Sequence, residues 1–204
     1  VIAIVDYGVG NIRAFANIYS SLGISFKIAS KLSDFDSVTK IILPGVGAFD
    51  YAMSRLHLSG LRDKLNELVL ERKMPVLGVC VGMQMLARSS EEGTLSGLGW
   101  IDGEVKKFDS SLLNQGLNIP HMGWNNIVLS KYNKITKDLE TAPRFYFLHS
   151  YYFCCSCADD VVAITEYGDK FASVVNSDNV YGIQCHPEKS HNNGITLLKN
   201  FWEL

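Results

Sequence analysis

Met74-Pro75-Val76-Leu77-Gly78-Val79-Cys80-Val81-Gly82-Met83-Gln84-Met85-Leu86 has the pattern of a strand, a tight turn and a helix. Val76 to Val79 is a short apolar run of the kind found in a buried strand, and Pro75 marks its start. From Met83 onward the order Met-Gln-Met-Leu-Ala-Arg suits a helix. Between them, Gly-Val-Cys-Val-Gly has the form of a nucleophile elbow with Cys where Ser is usual. So tight a strand-to-helix turn holds its nucleophile at strained backbone angles, and Gly78 and Gly82 leave room for close neighbours. The helix that follows points its N-terminus at Cys80, which favours a thiolate. A buried Cys in an ordinary strand–loop–helix junction fits the same residues, so the rest of the chain has to choose.

Upstream, Val1 to Val5 reads as a buried strand, Asp6-Tyr7-Gly8-Val9-Gly10-Asn11 as a turn, and Ile12 to Leu22 as a helix stopped by Gly23. The turn approaches a dinucleotide fingerprint, but Arg13 stands where the third Gly belongs, so that match fails. Ser25 to Ala29 is a second strand, and Ser33-Asp34 caps a short helix. Lys40 to Leu43 is a third strand, running into Pro44-Gly45-Val46-Gly47-Ala48-Phe49. Phe49 to Leu58 and Leu61 to Arg72 read as helices, and the elbow strand is the fourth. This alternation predicts an α/β fold with a largely parallel sheet covered on both faces. Ligands in such sheets sit beyond the C-terminal ends of strands, where Asp6–Asn11, Pro44–Phe49 and Cys80 all fall.

Beyond Gly93 the texture changes. Ile101–Phe108, Gly123–Leu129, Phe145–Phe153, Val161–Tyr167, Phe171–Ser177 and Val180–Cys185 read as strands, mainly antiparallel, with Ser177-Asp178-Asn179 as a hairpin turn. Asn192 to Glu203 closes the chain as a helix. With no repeat, linker or low-complexity segment, residues 1–204 read as one domain.

Composition narrows the function classes. Of 204 residues 47% are hydrophobic, enough for a sizeable core, and the net charge is only -2. Without a basic run, neither nucleic acid nor a membrane surface is expected as a partner. No apolar stretch approaches a membrane span, and Val1–Val5, followed at once by Asp6, is too short for a signal-peptide core. The five cysteines, 80, 154, 155, 157 and 185, are odd in number and clustered, which argues against a disulfide framework and for a reduced, cytoplasmic setting. A zinc site needs about four ligands in spaced pairs. Cys154-Cys155-Ser156-Cys157 has no such second pair, so these cysteines read as small packing or loop residues and no metal is expected.

A cysteine nucleophile needs a base, and the base needs an orienting group. His186-Pro187-Glu188 ends a strand. In an extended segment residues two apart face the same side, so His186 and Glu188 project together with Pro187 stiffening the pair. The carboxylate can hold one imidazole nitrogen while the other faces Cys80. Alone, His-Pro-Glu is an ordinary surface turn; downstream of a Cys elbow it completes a triad. Acyl transfer also needs an oxyanion hole. The glycines around Val46 and Gly47 let a peptide N–H turn toward a reacting carbonyl, and the N–H of Val81 is the second donor by elbow geometry.

Taken together, Gly78-Val-Cys80-Val-Gly82-Met-Gln84, Pro44-Gly45-Val46-Gly47 and His186-Pro187-Glu188 resemble the class I (triad) glutamine amidotransferases. Asp6–Asn11, Pro120-His121-Met122-Gly123-Trp124-Asn125 and Tyr146-Phe147-Leu148-His149-Ser150-Tyr151-Tyr152 are similar to the glutaminase subunits of imidazole glycerol phosphate synthase, and the likeness runs the full length. The resemblance implies a flavodoxin-like open mixed sheet and hydrolysis of L-glutamine through a Cys80 thioester. His186 would be the proton carrier and Glu188 its orienter, with no cofactor. It implies that Gln84 and Glu92 hold the amino-acid end of glutamine, with Ser150 and Tyr151 supplying backbone contacts. It also implies a heterodimer with a (β/α)8 synthase subunit that receives the ammonia in histidine biosynthesis and makes imidazole glycerol phosphate and an aminoimidazole carboxamide ribotide. Asn11, Trp124, Asn125 and Tyr146 would face that partner. The departures are Val79 and Val81 for commoner Ile and Leu, Cys185 for the usual aromatic, and the Cys154–Cys157 run. Three other readings share this pattern: the same chemistry feeding a sugar amidotransferase in surface-polysaccharide synthesis, a γ-glutamyl peptidase-like Cys hydrolase, and a silent binding subunit.

Overall fold

The computed structural model describes the backbone of residues 1–204 and every side chain except those of Leu113 and Gln115. The N-terminal half alternates as β1 Ile2–Val5, α1 Ile12–Ser21, β2 Phe26–Ala29, β3 Lys40–Gly45, α2 Phe49–Leu58, α3 Arg62–Asn66, β4 Val76–Cys80 and α4 Val81–Gln84. β1, β3 and β4 are buried along nearly their whole length. That is the signature of parallel strands covered on both faces. β1 pairs in parallel with β2 and β3, and β3 with β4.

The second half contains β5 Ser89–Ser90, β6 Gly103–Lys107, β7 His121–Asn126, β8 Val128–Leu129, β9 Arg144–His149, β10 Tyr151–Cys155, β11 Val161–Tyr167, β12 Asp169–Ser177, β13 Val180–Ile183 and α5 His191–Glu203. β13 returns to lie parallel beside β4, and from there the sheet turns antiparallel through β12, β10 and β6. The result is an 11-stranded mixed sheet in the order β2-β1-β3-β4-β13-β12-β10-β6-β5, with β11 and β8 branching from β12. β7 and β9 form a separate two-stranded ribbon. Helices cover both faces of the large sheet; α1 and α5 are joined where the Tyr19 hydroxyl donates to the Leu198 carbonyl at 3.2 Å. The fold is the open mixed α/β sheet expected from the sequence.

Several boundaries differ from the sequence reading. The run Phe145–Phe153 is two strands, because the chain leaves the ribbon for the large sheet at Ser150, whose carbonyl accepts from Phe108 N–H at 3.2 Å. Alternation persists across the break, so period alone cannot reveal it. Gly123–Leu129 divides likewise at the buried Ile127, whose N–H is taken by Pro143 O. The helix expected over Leu61–Arg72 passes at Glu67 into a π-turn over Glu67–Glu71. The helix after the elbow stops at Gln84, because the carbonyls of Met85 and Leu86 accept from Leu98 and Ile101 instead. Around Ser33-Asp34 the helix is a 3₁₀ turn, and Asp34 caps it from within by accepting from the N–H groups of Ser30 and Lys31.

Candidate active site

The elbow puts Cys80 between the end of β4 and the first residue of α4, at φ 56° and ψ -114°. Non-glycine residues rarely adopt a positive φ, and the strain turns the side chain out of the sheet. Close approach explains the flanking glycines. A Cβ on Gly82 would lie 1.9 Å from the Leu43 carbonyl oxygen, and one on Gly78 would lie 2.6 Å from that of Gly82. Gly45 pairs with Cys80 across β3 and β4, which brings the Pro44–Gly47 loop against the elbow. Gly47 adopts φ +82°, and the Pro44 carbonyl is held by the Tyr7 hydroxyl at 2.7 Å. Val81 opens α4, so its N–H has no acceptor within the helix.

His186 follows β13, and its backbone N–H donates to Tyr146 O at 2.8 Å. Ser190 fastens the same turn by donating its hydroxyl to His186 O at 2.5 Å and accepting Tyr146 N–H at 3.0 Å. His186 Nδ1 is 2.9 Å from Glu188 Oε1, and both side chains are almost fully buried. The pair meets as the sequence suggests, but for another reason. Pro187–Lys189 is a 3₁₀ turn, not extended chain, and it folds the carboxylate back under the ring. With Nδ1 facing Glu188, Nε2 is the nitrogen free to serve Cys80. Burial alone would lower the His186 pKa, but the Cys80 and Glu188 interactions outweigh it and raise it to about 10.

A pocket of about 360 Å³ opens over Cys80. Val46, Gly47, Val81, Gln84, Glu92, Ser150, Tyr151 and His186 all line it, although they come from segments far apart in the chain. Glu92 is oriented by the N-terminus of α2, its Oε2 accepting from Phe49 N–H at 2.8 Å. Gln84 Nε2 donates to Tyr151 O at 2.9 Å and to Gln184 Oε1 at 3.1 Å. Pro120, Leu148, His149 and Lys189 complete the wall; none has a site role assigned from the sequence, although the first three lie in the segments that carry the resemblance. Nor has Gln184, which is fully buried and directs its amide at Cys80 Sγ from 3.9 Å. Its position two residues before His186 was the only available signal, and one-dimensional spacing does not say that its side chain turns to the nucleophile.

The residues assigned to a partner face divide. Trp124 and Tyr146 are opposed across the ribbon, and the Trp124 ring, 39% exposed, stacks on His191 at 5.1 Å. Asn125 instead directs its amide to the Glu166 carbonyl at 3.0 Å and to His121. Asn11 is exposed where α1 begins. Cys154 and Cys155 lie at the end of β10 and Cys157 beyond it; Cys155 is partly buried and the other two are exposed, as small packing or loop residues. Among the described residues no group of three or more His, Cys, Asp or Glu is placed to hold a metal ion, and no helix is long and apolar enough to cross a membrane.

Residues 3–204 match the family model described as glutamine amidotransferase class-I. The chain is 54% identical over 203 residues to the imidazole glycerol phosphate synthase subunit HisH of Leptospira interrogans, with 100% of both chains covered. It is equally 54% identical, again over 100% of both, to the protein of that name from Bdellovibrio bacteriovorus. A solved structure described as a glutamine amidotransferase superposes with a TM-score of 0.75 at 20% identity, covering 100% of this chain and 97% of that one; at that identity it speaks for the fold alone.

Proposed function

The chain belongs to the class-I glutamine amidotransferase family, and from that premise we propose that it hydrolyses L-glutamine through Cys80, His186 and Glu188 as the glutaminase subunit of an imidazole glycerol phosphate synthase. The observation that carries the reading is the single pocket shared by Cys80, His186, Gln84, Glu92 and the Ser150–Tyr151 backbone. The Cys80 sulfur attacks the side-chain amide carbon of glutamine while His186 holds the thiol proton. The resulting oxyanion is met by the Val81 N–H and an N–H of the Val46–Gly47 peptide. His186 passes its proton to the departing nitrogen, ammonia leaves, and a thioester remains on Cys80. Water, losing a proton to His186, attacks the thioester; the C–S bond breaks, glutamate is released, and the Cys80 sulfur takes the proton back from His186. Glu188 keeps Nδ1–H fixed and stabilises the imidazolium. Glu92 offers its free oxygen to the substrate ammonium.

The ammonia is used by a (β/α)8 synthase subunit docked on the Trp124–Tyr146 face, in a reduced cytoplasmic setting that keeps Cys80 a thiol. Relatives at 54% identity over their full length are named imidazole glycerol phosphate synthase subunit HisH, which supports the histidine-pathway acceptor. The test is ammonia release from glutamine by the purified chain, alone and mixed with a (β/α)8 synthase subunit and its ribotide ligand. Stimulation by that partner is the expected result. Absence of glutamine hydrolysis in the liganded complex would overturn the activity, and stimulation only by a sugar-modifying ligase would overturn the acceptor.

A further inference from the structure

His121 on β7 and His149 at the end of β9 are directly opposed in the ribbon register, and both are buried. His121 Nδ1 lies 3.0 Å from His149 Nε2. His149 Nδ1 lies 2.8 Å from the Tyr151 carbonyl oxygen, and His121 Nε2 lies 3.3 Å from Asn125 Nδ2.

The chemistry of the end groups fixes the direction of every bond. A carbonyl only accepts, so His149 Nδ1 carries a hydrogen and, in a neutral ring, Nε2 is bare. His121 Nδ1 must then donate to it, which leaves His121 Nε2 bare in turn. Asn125 supplies the last donor. Its Oδ1 accepts Asn126 N–H at 2.8 Å, so its nitrogen is the atom facing Glu166 O and His121. Each polar atom has one role, and reversing any bond leaves a buried group unpaired. Burial holds both rings neutral, His121 at about 4 and His149 at about 3, the latter also opposed by His121 and His186 charge.

The far end of this chain is the glutamine pocket. The Tyr151 carbonyl that His149 holds also accepts from Gln84 Nε2, and Gln84 donates onward to Gln184, whose amide faces Cys80 Sγ. Hydrogen bonds, buried or partly buried, therefore run without a gap from Asn125, beside Trp124, to the sulfur. A pair of core histidines satisfied by each other needs no such continuation, and His149 itself lines the pocket.

We propose that His121 and His149 are a tautomer-locked positioning pair that fixes the Ser150–Tyr151 backbone for the glutamine carboxylate and ties it to the ribbon bearing Trp124. This rests on the glutaminase reading above for the identity of the ligand.

Two measurements test it. In ¹⁵N spectra of the full chain near neutral pH, both rings are expected to be protonated at Nδ1 and bare at Nε2; an Nε2-protonated His149 overturns the proposal. In the chain bound to its (β/α)8 partner, His149→Phe removes the donor to Tyr151. The glutamine KM is expected to rise about tenfold while kcat changes much less. His149→Asn, whose amide nitrogen sits near the lost Nδ1, is expected to restore most of that loss. A KM unchanged in His149→Phe, or equal in the two variants, overturns the positioning role. If the Phe variant does not fold, the tautomers of the unmodified chain still decide. A wild-type complex without glutaminase activity fails the functional reading, whereas wrong tautomers in an active complex fail this proposal alone.

Discussion

The Glu92 carboxylate accepts a hydrogen bond from the backbone N–H of Phe49 at 2.8 Å, which joins the acidic side chain of the pocket to the first residue after the Gly47–Ala48 turn. Asp50, next along α2, accepts from Thr94 N–H at 2.9 Å and Leu95 N–H at 3.0 Å, and a Cβ on Gly93 would strike its carboxylate. The loop that carries Glu92 and the helix that follows the Pro44–Gly47 loop thus hold each other. Glu92→Gln keeps an oxygen for Phe49 N–H and loses the charge. It is expected to raise the glutamine KM at least about tenfold, with the melting temperature unchanged. Steady-state kinetics beside a thermal melt check this, and a fallen melting temperature with normal KM would contradict it.

Cys80→Ala is expected to abolish ammonia release with a stability change of at most ~1 kcal/mol. Cys80→Gly should be the more stable of the two, by about 1 kcal/mol, because φ 56° with ψ -114° strains any residue bearing a Cβ. Urea denaturation of both variants decides the second point. An electrophilic glutamine analogue should label Cys80 and spare Cys154, Cys155, Cys157 and Cys185, as peptide mass mapping will read.

His186→Ala should be nearly as damaging as loss of Cys80, and Glu188→Gln less so, because in the proposed mechanism the imidazole moves protons in both half-reactions and the carboxylate only orients it. The His186 pKa of about 10 depends on both neighbours. Its NMR titration should therefore move down in Cys80→Ala and in Glu188→Gln. An unmoved titration in both would show that neither neighbour sets it.

Acid should destabilise the chain through the ribbon histidines. Their folded pKa values, about 4 for His121 and about 3 for His149, lie below the ordinary 6.5. The unfolded chain then binds more protons, so their contribution is complete above pH 6.5 and is lost as pH falls through 4 and 3. Phe108, Phe147, Tyr167 and Phe171 pack around them, an apolar surround that disfavours the charged rings. His121→Phe should flatten urea midpoints between pH 6.5 and 4; a wild-type slope in the variant would contradict the assignment.

The isolated chain should be a poor glutaminase. Gly45 and Gly47 flank Val46, and Gly47 already uses a φ that other residues avoid. A resting loop that turns a carbonyl toward the oxyanion lacks one donor, typically a loss of roughly 10²–10³ in rate. Partner docking on Trp124 would shift the loop to its donor state. Trp124→Ala should weaken stimulation and leave the low basal rate intact. A lone chain turning over as fast as the liganded complex would sink this idea.

The alternation of the first half, the elbow at Cys80 and the segment bearing His186 and Glu188 are legible in the residues alone. Apolar runs that cannot face water and glycines that cannot be replaced leave a local signature. Membership of the sheet did not. Phe145–Phe153 alternates without interruption, yet Ser150 divides it between ribbon and sheet, because period records which face a side chain takes and not which strand lies beside it. Helix length after the elbow likewise depended on Leu98 and Ile101, distant residues that claim the carbonyls of Met85 and Leu86. Glu188 lies against His186 at 2.9 Å, but by way of a 3₁₀ turn and not the extended segment that the two-residue spacing implies. His121 and His149 stand in the segments that carry the family resemblance, but nothing in the sequence pairs them, and Gln184 has no such signal. Their roles come from directed hydrogen bonds between elements far apart in the chain, and only tertiary structure decides which buried polar atoms meet.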